Sequence, residues 1–146
     1  MTVDGLERLP VLLVEDSPAD VFLVRRALQE EGLDFSLDVA EHGEAAIQMI
    51  NRFDESIEQP APKLILIDVN IPRTSGNEVL KRVRQSTRCS ALPVIMISSS
   101  DSPDERRNAI EQGATEYFCK PSNLGEFMQL GKLVRRLHEH KDVAAA

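Results

Sequence analysis

Charged and hydroxyl side chains stand at the ends of four short apolar runs of this chain. In chain order, the runs end at Glu15-Asp16, Asp68, Ser98-Ser99-Ser100 and Lys120. Burying an unpaired charge is costly, so residues of these types rarely occupy such places for packing alone. In open α/β sheets, ligands bind outside the carboxyl ends of the strands. If the four runs are neighbouring parallel strands, these groups form one site.

Three carboxylates beside a lysine and a hydroxyl suit phosphoryl transfer assisted by a divalent cation. Mg²⁺ prefers oxygen ligands and usually keeps several waters, so Glu15, Asp16 and Asp68 suffice to hold it. Without a cation these carboxylates repel one another, which favours protonation of some of them. With a cation, one carboxylate can attack phosphorus while the metal, Lys120 and Ser98 interact with the phosphoryl oxygens.

Each residue of this set also has an ordinary structural explanation when it is taken alone. Asp68 could cap the turn after its strand, and Asp16 could help to cap the next helix. Lys120 and the serine run are of types that are common on surfaces and in loops. The convergence of four strand ends is therefore what favours a functional site.

Strand-like and helix-like segments alternate along the chain, which is typical of a parallel sheet with helices on both faces. The predicted strands cover residues 11–15, 35–40, 63–68, 93–98 and 116–120. The predicted helices cover residues 18–31, 43–51, 76–84, 103–113 and 123–140, with a polar loop over 52–62. We therefore predict a (βα)5 doubly wound α/β fold, a five-stranded parallel sheet with strand order 2-1-3-4-5. That order places Asp16 and Asp68 at the switch point between strands 1 and 3.

Length and composition limit the class of protein further. The chain has 146 residues, 42% of them hydrophobic, which is enough for one domain with its own core. A net charge of −7 gives no overall attraction for nucleic-acid phosphates. Cys89 and Cys119 lack the spacing of a disulfide framework or a metal site.

Targeting signals are also missing from the sequence. No apolar run approaches the roughly 20 residues that span a membrane, and residues 1–8 lack the pattern of a signal peptide. We expect a cytoplasmic protein with no nucleic-acid or membrane partner. We expect an N-terminal arm over residues 1–8, one domain over 9–140 and a C-terminal tail over 141–146.

The spacing of the candidate residues resembles that of the receiver domain of two-component response regulators, over about residues 9–137. The resemblance implies that Asp68 is the phosphoacceptor and that Glu15 and Asp16 form the acidic pair of the metal site. It also implies that Mg²⁺ is bound by Asp68 and by the backbone carbonyl of Asn70.

The same resemblance assigns the residues that respond to phosphorylation. It implies a switch hydroxyl at Ser98, an aromatic switch residue at Tyr117, and a lysine at Lys120 that is followed by a cis-bonded Pro121. It also implies that the protein is a signalling phosphoacceptor rather than an enzyme with turnover. The chain leaves no room for an output domain, so we expect its signal to pass to a partner or a relay.

Within that family, the chain is similar to standalone receivers that partner bacterial phytochromes and other sensor kinases. The likeness lies in residues 15–20, in the longer loop before the third strand, in residues 72–76 and in residues 120–124. It implies a sensor histidine kinase as the phosphoryl donor, with phytochromes among the candidates.

The last predicted helix has a broad apolar surface, an arc of roughly 220° at 100° per residue. We expect one side to face the sheet, with Leu124, Phe127, Met128 and Val134. An adjoining stripe contains Leu130, Leu133 and Leu137. A helix that packs only on its own domain needs little more than 100° of apolar surface, so the stripe predicts a homodimer through the last helix. Arg135 and Arg136 would lie at its rim. The alternative is a broad core that covers the stripe.

Three other functions remain as alternatives. A phosphohydrolase of the haloacid-dehalogenase type also uses a strand-end aspartate with Mg²⁺, and Asp68-Val69-Asn70 is faintly similar to its signature. It would need a second acid there and a cap domain. A flavodoxin-like carrier would need a phosphate-binding loop where Glu15-Asp16 would repel the phosphate. A receiver that is not phosphorylated is disfavoured because the full set of site residues is present, namely Glu15, Asp16, Asp68, Ser98 and Lys120.

Overall fold

The chain folds into a parallel sheet covered by helices on both faces. The computed structural model describes the backbone of residues 8–145 and the side chains of residues 8–140. The strands are β1 (Leu9–Val14), β2 (Phe35–Ala40), β3 (Leu64–Asp68), β4 (Val94–Ser98) and β5 (Glu116–Cys119). The helices are α1 (Pro18–Glu30), α2 (Gly43–Glu55), α3 (Gly76–Gln85), α4 (Pro103–Glu111), α5 (Leu124–Phe127) and α6 (Gln129–Ala145). The strand order is β2-β1-β3-β4-β5, with all pairs parallel, so the predicted fold is confirmed.

Two hydrophobic cores lie on the two faces of the sheet. Successive residues of a strand point to opposite faces, and β3 therefore gives Ile65 and Ile67 to one core and Leu64 and Leu66 to the other. The first core also contains residues of α2, α3 and α4, and the second contains residues of α1, α5 and α6. Every residue of β3 and β4 is buried, as expected for central strands that are covered on both faces.

The predicted starts of α1 and α4 are present in the structure. The Ser17 hydroxyl accepts the N–H of Asp20 at 3.2 Å, and the Ser102 hydroxyl accepts the N–H of Glu105 at 3.4 Å. Such caps satisfy backbone donors that the first turn of a helix leaves free. The cap at Ser17 fixes the first turn of α1 directly beside the carboxyl end of β1.

The prediction that residues 52–62 form a loop was partly wrong, because α2 continues to Glu55. Tertiary contacts stabilise this extra turn. Phe53 is buried in the core, and the Asp54 carboxylate accepts the Ser86 hydroxyl at 2.6 Å and the Arg82 guanidinium at 2.8 Å. The Arg88 guanidinium donates to three backbone carbonyls of the segment, those of residues 53, 56 and 59.

The single helix predicted over residues 123–140 is two helices, and its end was placed too early. The helical pattern is interrupted at Met128, and α6 then continues to Ala145. Phe127 and Val134, which lie on either side of Met128, are both buried as predicted, but two other residues were assigned to the wrong side. Leu124 is 53% exposed instead of facing the sheet, and Leu130 is fully buried instead of lying on the outer stripe. Leu133 and Leu137 are half-buried against the core of the same chain.

One further expectation concerns the peptide bond before Pro121. The described residues contain no cis peptide bond, so the Lys120–Pro121 bond is trans, contrary to the expectation. The trans form is the more common one even before proline.

None of the described helices has the length and apolarity that crossing a bilayer requires. Residues 1–7 of the expected arm, and the side chains of the expected tail, lie outside the described part of the chain.

Candidate functional site

Lys120 lies at the centre of a group of carboxylates at the carboxyl edge of the sheet. Its Nζ atom is 2.6 Å from Asp68 Oδ2, 2.7 Å from Asp20 Oδ2 and 3.5 Å from Glu15 Oε1. Each of the three acids places one carboxylate oxygen within 4.8 Å of the other two. Glu15 follows β1, Asp68 ends β3 and Lys120 follows β5, so the structure brings these strand ends together.

The loop after β3 holds the Asp68 side chain in place. Asp68 is 5% exposed, and its Oδ1 accepts the N–H of Asn70 at 2.8 Å. The first residue of α3, Gly76, packs onto this turn and donates its N–H to the Val69 carbonyl at 3.1 Å. A Cβ atom at Gly76 would clash with the Asp68 carbonyl oxygen, so the close approach requires glycine. The other carboxylate oxygen of Asp68 binds Lys120.

Glu15 is buried, and one of its carboxylate oxygens lacks a hydrogen-bond partner. The residue is 3% exposed, and its Oε1 is the one buried side-chain N or O atom, within the part of the chain described, that has no such partner. Burial raises the pKa of Glu15 to about 9; a hydrogen bond with Asp68 and the charge of Asp68 act in the same direction, and Lys120 opposes them. Buried polar atoms normally have partners, so this oxygen fits the role of a cation ligand.

Asp68 and Lys120 are a charged pair under neutral conditions. Burial acts to raise the pKa of Asp68, but hydrogen bonds with Glu15, Lys120 and Asn70 outweigh burial and lower this pKa. Burial acts to lower the pKa of Lys120, but its bonds to Asp20 and Asp68 outweigh burial and raise this pKa. Asp68 is therefore ionised, as a nucleophile must be, with a fixed positive charge beside it.

The third carboxylate of the group is that of Asp20 and not that of Asp16. The Asp16 side chain is exposed and, with Glu15 and Glu41, lines a cleft of about 260 Å³. Asp16 as a metal ligand therefore stays a prediction. Sequence reasoning gave Asp20 no role at the site. The signal that could have found it is the Ser17 cap, which puts the residue three positions later on the first turn, beside the strand ends.

The predicted switch residues lie on the neighbouring strands. Ser98 is fully buried at the end of β4, and its hydroxyl accepts the N–H of Ser100 at 3.1 Å. Tyr117 is 4% exposed on β5, and its hydroxyl donates to the carbonyl of Ser100 at 2.8 Å. The guanidinium of Arg106 stands 5.1 Å from the centre of the Tyr117 ring. Ser98 and Tyr117 thus bind the same residue, one through its N–H and the other through its carbonyl.

This arrangement combines an ionised carboxylate, a lysine that binds it, a buried acid with one oxygen that has no hydrogen-bond partner, and a hydroxyl one strand away. The sequence profile of the response regulator receiver domain family matches residues 11–132, a span that contains all of these groups. The chain belongs to this family. The chain is a receiver domain, and the assignment gives no support to the haloacid-dehalogenase-like phosphohydrolase.

Among characterised receivers, the chain is similar to Rcp1 of Synechocystis sp., with 32% identity over 120 residues that cover 82% of each chain. It is also similar to the regulatory protein FilR2 of Methanothrix harundinacea, with 31% identity over 130 residues, 89% of this chain and 81% of that protein. Both relatives have nearly the same length as this chain.

Solved structures of receivers agree with this assignment. A Mn²⁺-bound form of Rcp1 matches with a TM-score of 0.75 and 31% identity, covering 86% of this chain and 91% of that one. The phosphorylated cyanobacterial phytochrome response regulator RcpA matches with a TM-score of 0.77 and 26% identity, covering 88% and 91%.

Proposed function

We propose that this receiver accepts a phosphoryl group on Asp68 from a sensor histidine kinase, in a reaction that requires Mg²⁺. The observation that carries the proposal is the buried pair of Asp68 and Lys120, 2.6 Å apart. Beside it lies Glu15 Oε1, which has no hydrogen-bond partner and is 3.5 Å from Lys120 Nζ. A buried, ionised carboxylate held against an ammonium is poised for an anionic group that will share the same ammonium.

The transfer requires little chemistry from the protein beyond positioning and charge neutralisation. An Asp68 carboxylate oxygen forms a bond to phosphorus, and the bond between phosphorus and the donor atom breaks, its electron pair leaving with the donor. The ammonium of Lys120 then pairs with a phosphoryl oxygen, and the Ser98 hydroxyl can donate to another.

Mg²⁺ is the cation that best fits the oxygen donors of the site. The carboxylates of Glu15, Asp16 and Asp68 and the carbonyl of Asn70 would hold it, as the family resemblance implies. When bound, Mg²⁺ neutralises phosphoryl oxygens and orients the incoming group. The Mn²⁺ bound to Rcp1 supports a divalent cation in the corresponding protein.

We propose that the protein acts as a signalling module in the cytoplasm and not as an enzyme with turnover. Likeness to phytochrome response regulators favours a kinase of the phytochrome type as the donor. Ser98 and Tyr117 would pass phosphorylation to the surface of α4, β5 and α6 through their shared contacts with Ser100. No contact with DNA is proposed, since the net charge of −7 disfavours it.

We also propose homodimer formation through the last helix, now with a smaller surface than the sequence predicted. Leu133 and Leu137 are half-buried, so part of each side chain remains available to a partner. Arg135 pairs with Glu31, and Arg136 pairs with Glu116, both within the same chain. These arginines are therefore engaged before any dimer forms, and the two leucines carry the proposal.

Labelling with a small phosphodonor tests the function. Incubation with acetyl phosphate and Mg²⁺ should give one phosphoryl group per chain that is sensitive to hydroxylamine, as an acyl phosphate is. Asp68→Asn should abolish the label, whereas Asp34→Asn should keep it, because Asp34 is an exposed acid before β2, at the opposite edge of the sheet. Repeated turnover of many phosphate esters, with no stable adduct, would instead identify a phosphohydrolase.

A further inference from the structure

Asp20 makes a contact with Lys120 that its place in the sequence does not require. The residue lies on the first turn of α1 and is separated from Lys120 by 100 positions. Its Oδ2 atom is 2.7 Å from Lys120 Nζ, nearly as close as the 2.6 Å between Nζ and Asp68. The ammonium is thus shared between two carboxylates, one on β3 and one on α1.

An acid on the first turn of a helix has an ordinary explanation. A carboxylate there interacts favourably with the positive end of the helix dipole and with free backbone N–H groups. Exposure to solvent would serve that purpose equally well. The Asp20 side chain, however, is only 28% exposed and turns towards the edge of the sheet, where it meets the ammonium of a lysine side chain that is 16% exposed. The helix dipole does not account for that direction.

We propose that Asp20 is a positioning residue of the phosphorylation site, which acts by holding the Lys120 ammonium beside Asp68. This inference rests on the proposed function and adds a residue to it. A lysine side chain has four rotatable bonds and loses much rotamer freedom when it is held in one place. A second carboxylate, fixed on a capped helix turn, restricts the rotamers of Lys120 before the phosphodonor binds. Less rotamer freedom is then lost in the reaction itself.

The second anchor also determines where the ammonium stands during the reaction. Lys120 must stay close while an Asp68 oxygen bonds to phosphorus and the donor leaves with its electron pair. Because small misplacements of a catalytic group lower rates strongly, an ammonium bound by Asp68 alone should act less well. We expect Asp20→Asn to slow phosphorylation by a small phosphodonor by roughly tenfold.

The first measurement is the phosphorylation rate with acetyl phosphate at saturating Mg²⁺. Asp20→Asn should be slow even when the metal saturates the site, and Asp20→Glu, which keeps the charge, should recover part of the rate. Asp34→Asn removes the same charge at the opposite edge of the sheet and should behave as wild type. An unchanged rate in Asp20→Asn would overturn the proposal. A defect that disappears at saturating Mg²⁺ would make Asp20 a metal ligand and would overturn it equally.

The second measurement observes Lys120 without any phosphodonor or metal. In protein labelled with ¹⁵N-lysine, the ammonium resonance of Lys120 is assigned by its loss in Lys120→Gln. Asp20→Asn should shift this resonance and speed its hydrogen exchange with water, because one acceptor is weakened, while Asp34→Asn should leave it unchanged. A role confined to helix stability would lower the melting temperature and leave the resonance alone, which would contradict the proposal.

The two measurements separate this inference from the proposed function. If wild-type protein takes no phosphoryl group, the proposed function is wrong, and the inference fails with it even where Asp20 does hold Lys120. If wild type is phosphorylated and Asp20→Asn matches it in rate and in the Lys120 resonance, the function stands and the role of Asp20 is wrong.

Discussion

Mg²⁺ binding to this receiver should release a proton from Glu15. Burial and the neighbouring Asp68 raise the pKa of Glu15 to about 9, so this carboxyl carries a proton at neutral pH. A metal ligand must be deprotonated, and a cation that binds Glu15 therefore competes with that proton. The perturbation is a titration with Mg²⁺ over a range of pH.

The size of the effect follows from the distance between the pKa and the pH. At pH 7, about two units below the pKa, roughly one molecule in a hundred has Glu15 ionised. The free energy needed to ionise Glu15 at this pH is therefore about 3 kcal/mol. We therefore expect about one proton released per Mg²⁺ bound at pH 7. The apparent affinity should rise up to about tenfold per pH unit until the pH approaches 9.

Isothermal titration calorimetry in two buffers of different ionisation enthalpy counts the protons directly. Glu15→Gln is the matched control, because it keeps the size of the side chain and removes the titrating group. The variant should bind Mg²⁺ without releasing a proton, and more weakly at high pH. A wild-type affinity that is independent of pH, with the same heat in both buffers, would refute the reasoning.

The same pKa has a consequence for stability in the absence of metal. Between pH 4.5 and about 9, folded Glu15 retains its proton while unfolded Glu15 loses it. The folded state then binds more protons than the unfolded state, so the Glu15 contribution to the free energy of unfolding decreases as the pH rises. Mg²⁺, which binds the ionised form of Glu15, should offset this decrease in the free energy of unfolding.

Three further predictions concern the rest of the molecule. Burial acts to raise the pKa of Asp54, but hydrogen bonds from Ser86, Arg82 and Arg88 lower it to about 2 from 3.8. Asp54→Asn should therefore lower the free energy of unfolding by about 2 kcal/mol at pH 7. Urea titrations of both proteins should show that this difference decreases as the pH falls from 4 towards 2. Phosphorylation or a phosphoryl mimic should change the NMR shifts of the Tyr117 ring, and identical shifts in both states would rule out the relay. Leu133→Glu with Leu137→Glu should give a folded monomer by light scattering while Gln129→Glu leaves the dimer intact, and a parent protein that is monomeric at high concentration would contradict dimer formation.

The sequence predicted the sheet and its order because each strand is short, apolar and ended by a polar residue or a turn. For the same reason, the sequence alone predicted that three residues of the site lie close together, namely Glu15, Asp68 and Lys120. Parallel strands place their carboxyl ends at one edge, and neighbouring positions in that edge follow from the strand order. These inferences use only local composition and topology.

Features that depend on tertiary contacts were not visible in the sequence. The last turn of α2 contains mostly polar residues and is stabilised by bonds from Ser86, Arg82 and Arg88, about 30 positions away. No proline marks the interruption at Met128. The burial of Leu130 depends on how the helix packs on the second core, which the helical period alone does not determine.

The sequence predicted Asp16 in the carboxylate group, whereas the structure has Asp20 there. This difference also depends on tertiary structure. Asp16 directly follows Glu15, and adjacent residues in an extended segment point to opposite sides. Asp20 reaches the group from the first turn of α1, in an orientation set by the Ser17 cap and by its pairing with Lys120. A pattern of strand ends cannot contain a residue that arrives from a helix.

The measurement that tests the central claim most directly is the location of the phosphoryl group by tandem mass spectrometry. After incubation with acetyl phosphate, and reduction of the acyl phosphate by borohydride to mark its position, the modified residue should be Asp68, and chelation of Mg²⁺ should abolish the modification. Modification of another residue, or undiminished modification of Asp68 without a divalent cation, would contradict the account.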